Sequence, residues 1–223
     1  MNLERYDYQR KRTYKEYFFY SEGPRGRILK VVRFILVYGY PASYYNVIMG
    51  DWNKELSDID DLSVTNNGDA EKVLATIAAI ILDFTDIFSN AKVHVIGSTS
   101  SRTRRYQIGV NKFRNEIEKI FDVYGRIGEQ WGPFQKNTNY DAFFIIQKEL
   151  ENVILEEQTE SYMSASPKKE EEKKRVYNDR TVDGPELLNI HSSPFVRKKM
   201  ELARQSFEKA PLTEEFLKKH GLM

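Results

Sequence analysis

Apolar residues along this chain first come in short dense runs, then at helical spacing, and then thin out. Tyr17 to Ser21 is an aromatic run closed by Gly23-Pro24 and Gly26, which predicts a strand and a turn. Arg27 to Tyr38 is dense in Val, Ile and Phe and predicts a long strand, broken by Gly39-Tyr40-Pro41. Tyr44 to Met49 predicts a third strand, and Gly50-Asp51 turns away from it. The short connections make an antiparallel meander the natural pairing. Leu62 to Thr65 offers a short edge strand.

Asn66-Asn67-Gly68-Asp69 changes the period from strand to helix, with Asn67 or Asp69 placed to cap and Glu71 favourable in the first turn. Val73, Ile77, Ile80, Ile81, Phe84 and Phe88 then recur at helical spacing, and the alanines between them widen the apolar face. Lys92 to Ile96 predicts a strand and Gly97 to Ser101 a loop of small residues. A second helix starts near Ser100, with the stripe Tyr106, Val110, Phe113, Ile117 and Ile120. Phe121 to Ile127 and Tyr140 to Gln147 predict two more strands, separated by a Trp131-Gly132-Pro133-Phe134 loop. The expected fold class is α+β: a mixed or mainly antiparallel sheet of about six strands with two helices packed on one face.

Past residue 150 little remains to bury. Residues 1–150 form the expected α+β body, 151–192 a charged linker containing the run Lys168 to Arg175, and 193–223 short amphipathic helices. Ser193-Pro194 is a helix start, and Val196, Met200, Ala203 and Phe207 form a narrow apolar stripe. Thr213 caps a further short helix carrying Phe216 and Leu217, with Gly221 as C-cap. Such helices dock on something: the body, a second copy or another protein. Val196, Met200, Phe207, Phe216 and Leu217 are the candidate partner-binding residues.

With 223 residues the chain can bury a sizeable core. Cysteine is absent, so disulfides, thiolate metal sites and a cysteine nucleophile are excluded. His94, His191 and His220 form no metal-ligand spacing, and no metal or cofactor is expected. No apolar run reaches the roughly 20 residues needed to span a bilayer, and the charged, aromatic N-terminus does not resemble a signal peptide. A soluble cytoplasmic protein with no membrane partner is the expectation.

The net charge of +1 hides segregation: residues 87–115 hold six bases and no acid, whereas 51–61 hold five acids and only Lys54. The basic segment contains Gly97-Ser98-Thr99-Ser100-Ser101-Arg102-Thr103-Arg104-Arg105-Tyr106, a strand–glycine–hydroxyl loop leading into a helix. Free N–H groups at a helix N-terminus favour an anion, glycine permits its close approach, and arginines add bidentate contacts. Gly97, Ser98, Thr99, Arg102, Arg104, Arg105 and Tyr106 are therefore the candidate phosphate contacts. Arg102 extends the apolar stripe, so its guanidinium needs a partner; Asp60, Asp61 or a ligand phosphate are the candidates. The acids around Asp58 fail the calcium-loop pattern and predict an acidic turn. Tyr6, Tyr8, Tyr14 and Tyr17, interleaved with bases, fit either a nucleic-acid stacking surface or, better, an amphipathic edge strand.

The body is similar to an uncharacterised bacterial domain family. The resemblance rests on Tyr20-Ser21-Glu22-Gly23-Pro24-Arg25-Gly26, on Tyr45-Asn46 with Gly50-Asp51, and on Asn67-Gly68-Asp69 with Val73-Leu74-Ala75-Thr76. Above all it rests on Gly97-Ser98-Thr99 with Arg102-Thr103-Arg104 and Tyr106, and it covers most of residues 15 to 147. Val93 to Ile96, Ser98-Thr99, Tyr106 and Gly109 also resemble part of the acyl-CoA-dependent N-acetyltransferase fold, but the pyrophosphate loop of that fold is missing.

Three functions follow as expectations. The first is a binding module for a phosphate-bearing ligand or nucleic acid, whose tail engages a protein partner or a second copy, as suits a toxin–antitoxin or phage-defence component. The second is an enzyme, a transferase or nuclease acting on a phosphate-containing substrate, with Asp60 or Asp61 as general base and Arg102 as electrostatic stabiliser. The third is a purely structural interaction domain in which Arg102 pairs internally.

Overall fold

The computed structural model describes residues 3–38, 43–60, 65–89, 91–148 and 193–220. The Gly39-Tyr40-Pro41 break, Asp61, most of the expected 62–65 strand, the whole charged linker and Gly221 lie outside them. Nine strands form one sheet: β1 (Tyr8–Arg10), β2 (Glu16–Gly23), β3 (Gly26–Val37), β4 (Tyr44–Asn53), β5 (Asp58–Asp60), β6 (Lys92–Val95), β7 (Phe121–Ile127), β8 (Gln130–Pro133) and β9 (Ala142–Gln147). The order is β1-β2-β3-β4-β6-β9-β7-β8, with β5 paired to the far end of β4. The β2–β3–β4 meander is antiparallel, and the β4–β6 pair is parallel.

The strand count exceeds the expected six for identifiable reasons. The stretch expected as an acidic turn is strand β5, which places Ile59 in the core and Asp58 against a buried arginine. The expected Trp131-Gly132-Pro133 loop is the edge strand β8, where Pro133 at the last position interrupts no further pairing. The tyrosine-rich N-terminus forms the edge strand β1 and packs inward, with Tyr6 stacked on Phe19 and Tyr8 edge-on to Tyr17.

Alternation of side chains on β3 assigns the two faces. Val32 and Phe34 point to the first face, where α1 (Ala70–Ile87) and α2 (Ser100–Lys112) lie. Phe34 stacks on Phe84 of α1 at 3.8 Å between centroids. A short α3 (Arg114–Ile117) follows a break at Phe113. Val31, Ile35 and Val37 point to the second face. That face is covered by the tail: α4 (Pro194–Lys209), capped by Ser193 with Pro194 in the first turn, and α5 (Glu214–Lys219), capped by Thr213.

The tail's apolar stripe is thereby occupied. Val196 packs with Phe18, Val31 and Ile48; Ala203, Leu212 and Leu217 pack with Tyr44, Tyr124 and Phe144. Phe207 lies 4.1 Å from the Tyr44 ring, and Met200 and Phe216 edge the same clusters. The candidate partner-binding residues Val196, Met200, Phe207, Phe216 and Leu217 thus contact this chain's own sheet, and the body and tail form one packed unit. The physical reason is β3 itself: a strand apolar on both faces needs a cover on each.

Polar groups beneath α4 are tied into this seam. Arg33 is fully buried, with Nε 2.9 Å from Glu16 and Nη1 3.9 Å from Asp58, and Ser193 donates to the other Asp58 oxygen. Lys199 of α4, almost fully buried, donates to the Ile96 carbonyl at 2.6 Å. Asn46 Nδ2 donates to the Lys199 carbonyl, so Asn46 Oδ1 is the acceptor that faces His94 Nδ1 at 3.1 Å. That leaves His94 Nε2 to accept from Ser206 Oγ at 3.2 Å.

Candidate functional site

The Gly97–Tyr106 loop is held largely by its own hydroxyls. Thr99 is the N-cap of α2, and its side chain accepts from the Arg102 N–H. Gly97 N–H donates to Thr103 Oγ1 at 3.1 Å, and the Thr103 N–H donates back to the Thr99 carbonyl. A Cβ at Gly97 would sit 2.4 Å from the Thr103 nitrogen, so this approach requires glycine. Arg104 extends outward and donates to the Asn139 side chain. Gly97, Ser98, Thr99 and Arg104 are thus placed in the capping turn and on its outer side, away from the cavity described next.

Arg102, Arg105 and Tyr106 face a cleft of about 550 Å³ between α2, the β3–β4 hairpin and the start of α1. Their spacing of three and four residues places them on one helix face. The opposite wall supplies Lys30 of β3, Asp51 of β4 and Thr65. Lys30 is ion-paired to Asp51 and also donates to Thr65 Oγ1 at 2.7 Å. Lys112 and Glu71 close one end as an ion pair. Four cations and three carboxylates line the cleft, with Asp69 as the third acid, so its lining is net positive by one. Met49, Leu74, Ile77 and Phe113 give it an apolar floor.

The edge near α1 is fixed by a polar network. Asp69 accepts from Tyr6 OH at 2.9 Å and from Ser21 Oγ at 2.6 Å. Asn67 donates to Ser21 Oγ and to the Gly26 carbonyl, and accepts from the Arg25 N–H. Burial and the adjacent Asp69 raise the Tyr6 pKa, which keeps the phenol protonated as a donor. Asp69 is the α1 N-cap by position, yet its carboxylate serves this network instead of the helix N–H groups.

Asp60 lies on β5 opposite Asp51 in register and does not line the cleft, and Asp61 falls outside the described residues. Lys30, Asp51, Thr65 and Lys112 were missed in the sequence. The Lys30–Asp51 partnership is a register pair of the β3–β4 hairpin, so alignment of the two strands would have shown it. The Ser206–His94–Asn46 series has the order of a nucleophilic relay, but it is sealed under α4, with His94 at 0% and Ser206 at 2% exposure. Burial, with Lys199 and Arg126 nearby, pushes the His94 pKa down to about 3. Among the described residues no group of three or more His, Asp or Glu side chains could hold a metal ion, and no helix is long and apolar enough to cross a membrane.

Gly109 lies inside α2. The chain matches no curated protein and no solved structure. A family match covers residues 2–148, which is the sheet with α1, α2 and α3 and stops short of the tail. The chain therefore belongs to the family of unknown function DUF6934.

Proposed function

We propose that this chain is a binding module for a small phosphate-bearing or similarly anionic ligand, taken up in the cleft between α2, β3 and the start of α1. The observation that carries the proposal is the convergence of Lys30 from β3 with Arg102, Arg105 and Lys112 from α2 on one cavity of about 550 Å³. A cavity of that size with an apolar floor and convergent charged groups has the make-up of a small-molecule site. A single nucleic-acid strand calls instead for an open basic track with exposed stacking rings. Of the two general-base candidates in the enzyme alternative, Asp60 stands outside the cleft lining and Asp61 lies outside the described residues, so the cleft lends that alternative no support. A tail that clasps a toxin–antitoxin or phage-defence partner would have to lift its apolar stripe off the sheet.

The test is thermal melting of the full chain with inorganic phosphate, nucleotides, acetyl-CoA and short single-stranded RNA and DNA, at two salt concentrations. A ligand specific to the native state raises the melting temperature by mass action, by about 2.7 kcal/mol of stability at a hundredfold excess over Kd. The expected result is a shift with a small anion that survives salt and is lost in the Arg102→Ala/Arg105→Ala variant, with the fold kept. A shift with every polyanion that vanishes in salt supports the nucleic-acid reading instead. No shift with any compound overturns the proposal.

A further inference from the structure

The cleft does not end at its floor. Met49, Leu74, Ile77, Tyr106, Gly109 and Phe113 line it and also line a second void of about 70 Å³ that lies deeper beneath α2. The remaining walls of that chamber, among them Ala78 of α1, Val110 of α2 and Val95 and Phe143 of the sheet, are apolar as well. Protein interiors rarely leave voids larger than a water molecule, and a void with no polar lining stays dry and accepts an apolar guest. The helices are pinned close beside it, since a Cβ on Gly109 would meet Leu74 at 2.8 Å. The space is thus a local feature and not a general separation of α2 from α1.

Cations at the mouth and hydrocarbon at the inner end describe one kind of molecule. Resting on the anion-site reading above, we infer that the ligand is an amphipathic organic anion. A single phosphate or carboxylate head would lie among Lys30, Arg102 and Arg105, and a short hydrocarbon chain would pass over Met49 and Leu74 into the chamber. A nucleotide fits the inner chamber less well, because a sugar or base entering it would set polar edges against an apolar wall.

The experiment is calorimetric titration of the full chain with two homologous series, n-alkyl phosphates and n-alkyl carboxylates from two to eight carbons. Inorganic phosphate and adenosine monophosphate serve as the comparators without a chain. Affinity is expected to rise about threefold to fourfold for each methylene buried, and then to level off once the chamber is full. The series with the tighter members identifies the head group. Ala78→Leu, which fills the chamber from α1 without touching the mouth, should flatten the chain-length dependence and leave the head-group affinity in place. Val110→Phe fills the same space from α2 and serves if Ala78→Leu does not melt as a folded protein. Arg102→Ala/Arg105→Ala should weaken every member of both series. If phosphate or the nucleotide binds as tightly as the alkyl anions, the anion site stands and the hydrocarbon-chain inference falls. It falls equally if a folded chamber-filling variant keeps the wild-type chain-length dependence. If no anion of any length binds, the anion-site reading falls with it.

Discussion

Acidification should loosen this protein through one side chain, His94. Its imidazole is fully buried between the sheet and α4, held by Asn46 and Ser206, and its pKa is lowered to about 3 from the ordinary 6.5. Burial is the leading cause, and the cations of Lys199 and Arg126 reinforce it. The rings of Tyr44, Trp131 and Phe207 complete its surroundings and carry no charge near neutrality. The folded state therefore refuses a proton that the unfolded chain accepts below pH 6.5, so stability is full above that value and falls as pH drops towards 3.

Between pH 7.5 and pH 5 the loss integrates to about 2 kcal/mol, a large fraction of the roughly 5–15 kcal/mol typical of a domain. The figure depends little on how low the folded value lies, because pH 5 is already far above it. Urea unfolding at a series of pH values measures the loss, and His94→Gln is the control, since glutamine can hydrogen-bond but does not titrate. The wild-type curve should fall by about 1.4 kcal/mol per pH unit below 6 relative to the variant. Parallel curves for the two proteins from pH 7.5 to pH 5 would refute the reasoning.

Other outcomes can be checked by the same unfolding measurement at pH 7.5. Leu217→Ala, at a side chain with 0% exposure, should cost about 2–5 kcal/mol, whereas a loosely tethered tail would lose almost nothing. Arg33→Ala leaves the Asp58 carboxylate buried without its cation and Glu16 with Lys11 alone, and should cost about 3–5 kcal/mol; a neutral result would show that solvent reaches the seam. Gly97→Ala forces a methyl group to within 2.4 Å of the Thr103 nitrogen and should cost about 1–3 kcal/mol, and an unchanged midpoint would mean that the capping turn can relax.

The parts of the fold set by local pattern were legible, and those set by distant partners were not. The helical stripe from Val73 to Phe88 matches α1, and the dense runs flanked by glycine match the meander. The Ser193 and Thr213 caps lie where the sequence places them, because a cap is a contact across three residues. Strand β5 was hidden because Asp58 looks like a turn residue until Arg33 is beside it. The destination of the tail could have been inferred from β3: Val31-Val32-Arg33-Phe34-Ile35-Leu36-Val37 does not alternate, which is the mark of burial on both faces. At the candidate site, Arg102 and Tyr106 were legible as one helix face, whereas Arg105 stood beside Arg104 among the candidates with no face assigned to either. Lys30, Asp51 and Thr65 come from strand and loop positions that only the three-dimensional fold brings opposite them.

The cover that α4 and α5 provide also imposes an order on synthesis. The seam joins Asn46 to Lys199 across 153 positions, so its second half leaves the ribosome long after the sheet is complete. From Lys148 to His220, at about 5–20 residues per second, the nascent sheet waits roughly 4–14 s with one apolar face bare. During that interval Arg33 with Glu16 and Asp58, and Asn46 with His94, are polar interruptions on an otherwise adhesive surface. Groups that the finished protein must bury at a cost therefore have a second use, as gatekeepers that keep half-made chains from sticking to one another.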